Sequence, residues 1–520
     1  MATPHAKLAD SLGALKALQD RGVVAIRASD LKRTDRERLM RSGFLREVMK
    51  GWYISARPDE RTGEITAWYA SFWDFCATYL RERFGDDWSI SPEQSLMLHA
   101  GNRMVPQQLL VRSPKGGNKP IQLLHGTSLF DIRASLPAER DRVEQDRLRL
   151  FSAPAALLES SPNYFRQHPI DARTVLATIA DAAPVLDRLL EGGHSTIAGR
   201  LGGAFRNIGR DRIADDIVNA MKAAGYHVRE HDPFEQRIDI NLPRREVSPY
   251  AGRIRLMWQQ MRDGVIDQLP AAPGLPDDIE SYLKRVEEVY VTDAYHSLSI
   301  EGYRVNVELI DRVRSGEWNP AANEKDRELS NGLAARGYWQ AFQAVKQSVQ
   351  RVLSNENPGA VAGRDHAEWY RQMFAPSVTA GLVRAGSLAG YRDGQVYIRN
   401  SMHVPLPSHA VGDAMPVFFD MLEQETNAAV RVVLGHFVFV YIHPYMDGNG
   451  RMGRFLMNVM LAAGGYPWTV VPLQRRDAYM AALEDASVRQ NIVPFARFLG
   501  KLVQEGLEGK VVATLPETGA

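Results

Sequence analysis

The sequence predicts a multidomain protein whose C-terminal half is mainly α-helical with a β-hairpin flap. A winged helix-turn-helix and an α+β domain precede it. Three observations predict this. The 520 residues allow roughly three or four domains of about 150 residues each. From residue 277 onward, apolar residues recur almost everywhere at helical spacing. The first 55 residues instead mix short helical patterns with short strands. The expected boundaries are 1–60, 61–245, a connector at 246–276, and 277–510.

The bulk composition narrows the function classes. At 45% hydrophobic and 24% charged, the chain can fill sizeable cores. Lys plus Arg number 63 against 62 acids, so any surface for nucleic acid must be local. Cys76 stands alone, which excludes an internal disulfide and a CxxC metal knuckle and fits a reducing compartment. Asp10 interrupts the place where a signal peptide carries its apolar run. The most membrane-like window, FLMNVMLAAGGYPWTVVPL from Phe455, is broken by Gly464-Gly465 and Pro467. A cytoplasmic protein with no membrane partner is therefore expected. The terminal LPETGA contains a sortase-type LPxTG pattern but lacks the apolar, basic tail that anchoring needs, so it reads as a chance match or a tag.

In the first domain, LADSLGALKAL has helical spacing, and VVAIRASDL leads toward a second short helix with Ser29 or Asp30 placed to cap it. TDRERLMRSGFL predicts a third helix stopped by Gly43. FLREVMKGWYIS predicts two strands around a Lys50-Gly51 turn. Three helices and a β-wing make a winged helix-turn-helix. Eight Lys or Arg against four acids lie between Arg27 and Lys50, a local charge of +4. DNA is thus a candidate partner for residues 8–55, through Lys32, Arg33, Arg36, Arg38, Arg41 and Lys50, and docking on protein is the alternative. With the mixed patterns that follow to about Phe234, this region resembles AbiEi-type antitoxins. GWYIS and SPEQSLMLHAGNRMVPQQLLV carry the likeness. The resemblance implies a regulatory, DNA-binding front half.

After the connector, whose LPAAPGLPDD is a clear break, helical segments follow one another to the end. The exception is YRDGQVYIRNSMHVPLP, where an Asp393-Gly394 turn and β-rich flanks predict an extended or hairpin element among the helices. The segment IHPYMDGNGRMGRF, from Ile442 to Phe455, asks for explanation, because a turn needs Gly and Asn but not His, Asp or spaced arginines. Pro444 stops one helix and another begins near Arg451. Between them DGNG offers consecutive backbone N–H groups just before a helix N-terminus, which together form an anion nest. Arg451 and Arg454 project from the same side of the new helix, and their guanidinium forks suit phosphate oxygens. Asp447 is a hard oxygen ligand suited to Mg²⁺. His443 can accept a proton near neutral pH.

HPYMDGNGRMGR resembles the Fic family signature HPFx[D/E]GNGRxxR at every specified position except Tyr445, which stands for Phe. LAGYR from Leu388, VYIRNSMHVPLP and AYMAALEDA fall in the family's usual order, so the likeness covers about residues 277–505. It implies an all-helical Fic fold and transfer of AMP from ATP to a hydroxyl of a target protein, with Mg²⁺ or Mn²⁺ as cofactor. Carried onto this chain, His443 is the base and Asp447 holds the metal. Gly448, Asn449 and Gly450 bind phosphate, Asn449 also through its side chain. Arg451 grips the β-phosphate and Arg454 the γ-phosphate. Tyr479 fits the adenine-side aromatic, while Ser487 stands where some relatives carry Asn. Val396, Tyr397, Ile398, His403 and Val404 would form the flap that docks the target through its backbone.

SLSIEG places Ser297 and Glu301 four apart on one helix face, with Gly302 ending the helix. Alone, such a pair reads as a solvated face. Within a Fic protein it resembles the inhibitory pattern [S/T]xxxE[G/N]. The resemblance then implies that Glu301 takes the γ-phosphate's place on Arg454. Other readings stay open: a nucleotide-sensing transcriptional regulator, a toxin–antitoxin fusion, removal of AMP, or transfer of UMP or phosphate. The target protein and self-association into a homo-oligomer are not legible.

Overall fold

The computed structural model describes residues 3–58, 65–235, 248–319 and 329–516. It falls into two compact units. One is Met1–Pro249 with Tyr397–Val404, and the other is Tyr250–Val396 with Pro405–Ala520. The expected boundaries near 60 and 245 lie outside the described residues, as does the end of LPETGA.

In the first unit, helix α1 (Pro4–Gln19) starts where the Thr3 hydroxyl accepts the Ala6 N–H at 3.2 Å. Strand β1 (Ile26–Arg27), helix α2 (Arg33–Arg41) and strands β2 (Leu45–Met49) and β3 (Trp52–Ser55) follow. The strands form an antiparallel sheet in the order β1-β3-β2. The Lys50-Gly51 turn forms as expected, with Gly51 at φ +83°. The helix expected at ASDL does not form. Asp30 turns back to accept the Arg27 N–H at 2.8 Å and pairs with the Arg27 guanidinium at 3.2 Å, which holds residues 28–31 as a turn. Two helices therefore stand where three were expected. Leu15, Leu18, Ile26, Leu39, Leu45 and Tyr53 make the local core.

Helix α3 (Thr66–Phe84) then packs its aromatic residues against a four-stranded sheet. That sheet comprises β4 (Ser89–Ile90), β5 (Gln108–Ser113), β6 (Pro120–Gln122) and β7 (Ser128–Arg133), in the order β4-β5-β7-β6 with β5 parallel to β7. Helix α4 (Pro92–His99) lies between β4 and β5 in sequence, and a hairpin of β8 (Arg142–Gln145) and β9 (Leu148–Phe151) follows. Six helices from Ala153 to Ala223, α5–α10, complete the unit around a second apolar core.

The second unit is helical. Its elements are α11 (Pro249–Ile266), α12 (Ile279–Ile300), α13 (Val307–Ser315), α14 (Leu329–Leu353), α15 (Pro358–Thr379), α16 (Ser408–Gln424), α17 (Ala428–Ile442), α18 (Asn449–Ala463), α19 (Arg476–Val488) and α20 (Val493–Leu507). Helix α17 is apolar and buried nearly all round, and α18 is buried along almost its whole length, so the loop between them is held at both ends. None of the described helices is long and apolar enough to cross a membrane.

Two expectations are corrected here. The connector helix α11 belongs to the helical unit rather than linking domains. Arg253 Nε donates to the Tyr441 hydroxyl at 2.9 Å, and Arg262 and Trp258 converge on Glu425 at 2.9 and 3.3 Å. The flap contains no strand: residues 395–407 run extended around a turn at Arg399-Asn400, with Asn400 at φ +57°. Pro405 and Pro407 have no N–H to offer a ladder. The two arms are bridged by the Gln395 side chain, which donates to the Pro405 carbonyl at 3.0 Å.

Glu425 supplies the test of α11. Its side chain is 5% exposed, and the Glu425→Ala substitution removes the acceptor of both Arg262 and Trp258. The expected loss is about 2–4 kcal/mol, read as a lowered denaturation midpoint of the helical unit. An unchanged midpoint means α11 is a detached linker.

Candidate active site

Helix α17 ends at Ile442, and His443 follows as its C-cap with φ +56°, a left-handed conformation uncommon for a side chain of this size. Its Nδ1 lies 3.2 Å from the Val440 carbonyl. A carbonyl only accepts, so Nδ1 carries the proton and Nε2 keeps its lone pair. Burial, helped by the Arg392 guanidinium, pushes the imidazolium pKa down to about 4, which makes the ring neutral at pH 7.

The loop that follows is closed by Asn449. Its Oδ1 accepts the Tyr445 N–H at 2.9 Å and its Nδ2 donates to the Tyr445 carbonyl at 2.8 Å. One N–H and the oxygen of the side chain expected on phosphate thus serve loop closure. Gly448 caps α18 at φ +82°, where a Cβ would meet the Phe374 ring at 2.9 Å. Tyr445 stacks on Tyr370 with centroids 3.7 Å apart and planes 8° from parallel. Asp447 Oδ1 accepts the Gly448 N–H at 2.7 Å, and its side chain is otherwise mostly in solvent. Among the described residues no cluster of three His, Cys, Asp or Glu could cage a metal. One exposed carboxylate beside the glycine loop fits Mg²⁺, which takes one or two carboxylates together with substrate phosphates and water.

Both arginines of α18 are buried. Arg451, 1% exposed, sits over the Tyr303 and Phe374 rings at 5.2 and 5.3 Å and donates to Asp447 Oδ2 at 3.3 Å. Arg454, 3% exposed, donates from Nε to the Ser297 hydroxyl at 2.8 Å. Its Nη2 donates to the Ser297 carbonyl at 3.0 Å and to Glu301 Oε1 at 2.7 Å. Arg451 Nε and Arg454 Nη1 have no hydrogen-bond partner among the described residues. Buried guanidinium N–H groups are seldom left unspent, so the site has donor capacity in reserve.

Glu301 caps α12, and Gly302 follows at φ +92°. Burial works against its charge, but the Arg454 and Arg451 guanidinia outweigh it and hold the carboxyl below the usual range. The open C-terminal carbonyls of α12 are all answered. Ser297 O takes Arg454, Leu298 O takes the Tyr303 and Glu301 N–H groups, Ser299 O takes the Gly302 N–H, and Ile300 O takes Arg476 Nε. A Cβ on Gly450 would run into the Glu301 carboxylate, so only glycine admits this contact.

The remaining predicted residues separate. Tyr479, 1% exposed, is packed between His436, Phe495 and Phe498, with its hydroxyl 2.7 Å from His436 Nε2. Its phenol also faces the Arg454 guanidinium, so it backs the arginine pair while its ring is packed in the core. Ser487 is half-buried on α19. Of the flap residues, Val396 stays in the helical unit, while Tyr397, Ile398, His403 and Val404 pack with the first unit. There the Tyr397 hydroxyl donates to the Ala70 carbonyl at 3.2 Å, the Asn400 N–H donates to the Thr66 hydroxyl at 3.3 Å, and Val404 joins the core around Trp68 and Phe72.

Also in the first unit, Lys32, Arg33, Arg41 and Lys50 are exposed, with Arg33 paired to Glu37. Arg36 donates to the Ala28 carbonyl at 2.8 Å, and Arg38 donates to the Lys7 carbonyl at 2.9 Å and the Ser11 hydroxyl at 2.5 Å, so both serve the fold. Sequence reasoning assigns no role to Arg392, Tyr303 or Phe374. An arginine whose acceptors are backbone carbonyls leaves no local pattern.

Residues 365–461 match the Fic/DOC family profile. The chain is similar to the protein adenylyltransferase Fic of Drosophila willistoni, 30% identical over 255 residues that make up 48% of this chain and 47% of that protein. It is similar also to that of Drosophila virilis, 30% identical over 243 residues, 46% of each. The chain thus spans about half the length of the curated relatives it matches. Among solved structures, Fic-1 (residues 134–508) from C. elegans is 18% identical and covers 66% of this chain and 97% of its own. Its TM-score of 0.37 is too low to establish a shared fold.

Loop closure by Asn449 is testable without activity. The Asn449→Ala substitution leaves the buried Tyr445 N–H and carbonyl without partners, at an expected cost of about 1–3 kcal/mol in chemical denaturation. A variant as stable as the parent would show that the loop is held by its ends alone.

Proposed function

We propose that the helical unit is an enzyme that transfers AMP from ATP to a hydroxyl side chain of a target protein, and to itself, under restraint by Glu301. One observation carries the reading: a neutral His443 stands at one end of a glycine loop, and two buried arginines with unspent N–H groups stand at the other. The match of this segment to the Fic/DOC family and the names of the similar proteins support it.

The chemistry follows from these parts. Nε2 of His443 removes the proton of the attacking hydroxyl as its oxygen bonds to the α-phosphorus. The bond to the bridging oxygen breaks, and pyrophosphate leaves with the electron pair. The backbone N–H groups of Asn449 and Gly450 hold phosphate oxygens at the start of α18, and that of Gly448 joins them once Asp447 Oδ1 releases it. Arg451 neutralises charge on the β-phosphate, and Arg454 serves the γ-phosphate once Glu301 releases it. Mg²⁺ or Mn²⁺ bound through Asp447 would spread the α/β-phosphate charge.

For the first unit we propose a regulatory role in which its small sheet and α2 act as a winged helix that docks on DNA. The exposed Lys32, Arg33, Arg41 and Lys50 support this, while Arg36 and Arg38 are committed internally. The lone, buried Cys76 suits a reducing, cytoplasmic setting.

Labelled ATP, GTP and UTP with Mg²⁺ test the enzyme reading, wild type beside Glu301→Gly. The variant should label itself from ATP at least about tenfold faster, the worth of one freed charge-assisted hydrogen bond. Adding Arg454→Ala should cancel the gain, and adding His443→Ala should lower transfer by about 10²–10⁴-fold while nucleotide still binds. Equal labelling by wild type and Glu301→Gly rejects the restraint, and persistence of transfer in the His443→Ala variant rejects the base.

The DNA reading has its own outcome. Neutralising Lys32, Arg33, Arg41 and Lys50 together in the full chain should flatten the salt dependence of DNA binding. The slope should fall by up to about 0.9 log units for each phosphate that no longer meets a cation. A parent that binds no DNA at about 50 mM salt favours docking on protein.

A further inference from the structure

We infer that Arg392 is a positioning residue for the general base: it holds the left-handed turn at His443 and ties the roots of the 397–404 excursion to it. The role rests on the adenylyl-transfer reading only for its effect on rate. Arg392 is buried, 5% exposed, in the helical unit. Its Nε donates to the His443 carbonyl at 2.7 Å and its Nη1 to the Gly394 carbonyl at 2.9 Å. Its Nη2 donates to the Leu406 carbonyl and, at 3.5 Å, reaches the Ile442 carbonyl. Its own backbone N–H donates to the Pro444 carbonyl at 2.9 Å. One residue thus grips three consecutive carbonyls, of Ile442, His443 and Pro444, around the position where the chain leaves helical geometry.

The geometry needs a guanidinium. Acceptors on three sides of a plane match the fixed fork of Arg, whereas a Lys ammonium is a point donor that cannot reach them together. Gly394 and Leu406 stand immediately outside Val396 and Pro405, where the chain passes to and from residues 397–404. The same side chain therefore registers the roots of that excursion with the base. The phosphate cradle does not depend on it, because Asn449 closes that part of the loop separately. Loss of Arg392 should misplace the imidazole and leave nucleotide binding intact. The nearby positive charge also favours neutral imidazole, which agrees with a base role.

The test uses the full chain in the Glu301→Gly background, with Arg392→Ala and Arg392→Lys. Both variants should lower kcat for self-labelling, Arg392→Ala by about 10²-fold, the usual cost of about 1 Å of misplacement. The KM for ATP should stay within about threefold, since the cradle's own hydrogen bonds are unchanged. Guanidinium ion at millimolar concentration should restore part of the Arg392→Ala rate. A second readout needs no activity: with ¹³C-labelled histidine, the His443 resonance, assigned by its loss in His443→Gln, should be single in the parent and broadened or doubled in both variants. Unchanged kcat, a KM for ATP that rises as kcat falls, or an unaltered His443 resonance overturns the proposal. If Arg392→Ala does not fold, Arg392→Lys decides by the same criteria. If the parent transfers no AMP, the adenylyl reading fails, and the resonance alone decides for or against Arg392.

Discussion

The second unit is organised around the pairing of one buried cation. Arg454 lies in the first turns of α18 almost wholly out of water, and a guanidinium there must find acceptors or destabilise the fold. It takes three from the end of α12: the Ser297 hydroxyl, the Ser297 carbonyl and the Glu301 carboxylate. Burial weakens its charge, but Glu301 more than compensates and holds the guanidinium firmly protonated. Two of these acceptors sit inside the helix and stay. The third is a side chain at the helix end, and a triphosphate could replace it at little cost to the fold.

That asymmetry gives the pairing a direction for release. The Glu301 side chain is 28% exposed and is followed by left-handed Gly302, so it belongs to the last turn, where helices fray first. Ser297 is buried four residues earlier. On the proposed reading, release of the carboxylate would leave Arg454 still held by the Ser297 hydroxyl and carbonyl. Below it, Tyr338 donates to buried Asp293 at 2.6 Å and anchors the next turn of α12. Burial raises the Asp293 pKa to about 6, so the anchor holds whether or not that carboxyl is ionised.

What the sequence reveals and conceals has physical causes. The loop from His443 to Arg454 stands out in the sequence because its His, Asp, glycines and arginines lie in one contiguous stretch, whose order and spacing can be read directly. The partnership of Glu301 with Arg454, 153 residues apart, has no spacing to betray it and entered only through resemblance. Asn449 was assigned to phosphate, yet its amide closes the loop, because an Asn flanked by glycines can as easily bond its own backbone. Tyr479 reads as an aromatic available to a base until the packing of α19 and α20 encloses it. Arg392 lies in the LAGYR segment, but its role is not legible there, since backbone carbonyls have no side-chain signature. In the first unit, Asp30 beside Leu31 resembles a helix start, and the choice to bond Arg27 instead is a tertiary outcome.

The proposed competition between Glu301 and a γ-phosphate for Arg454 is measured most directly by the relative affinity for ATP and ADP. Calorimetry with Mg²⁺ should find that wild type binds ATP and ADP about equally, because the γ-phosphate meets an arginine already engaged. In the Glu301→Gly variant, ATP should bind about 10–100-fold tighter than ADP, the worth of one hydrogen bond to a charged group. A wild type that already prefers ATP by that ratio, with no change on removing Glu301, would contradict the account.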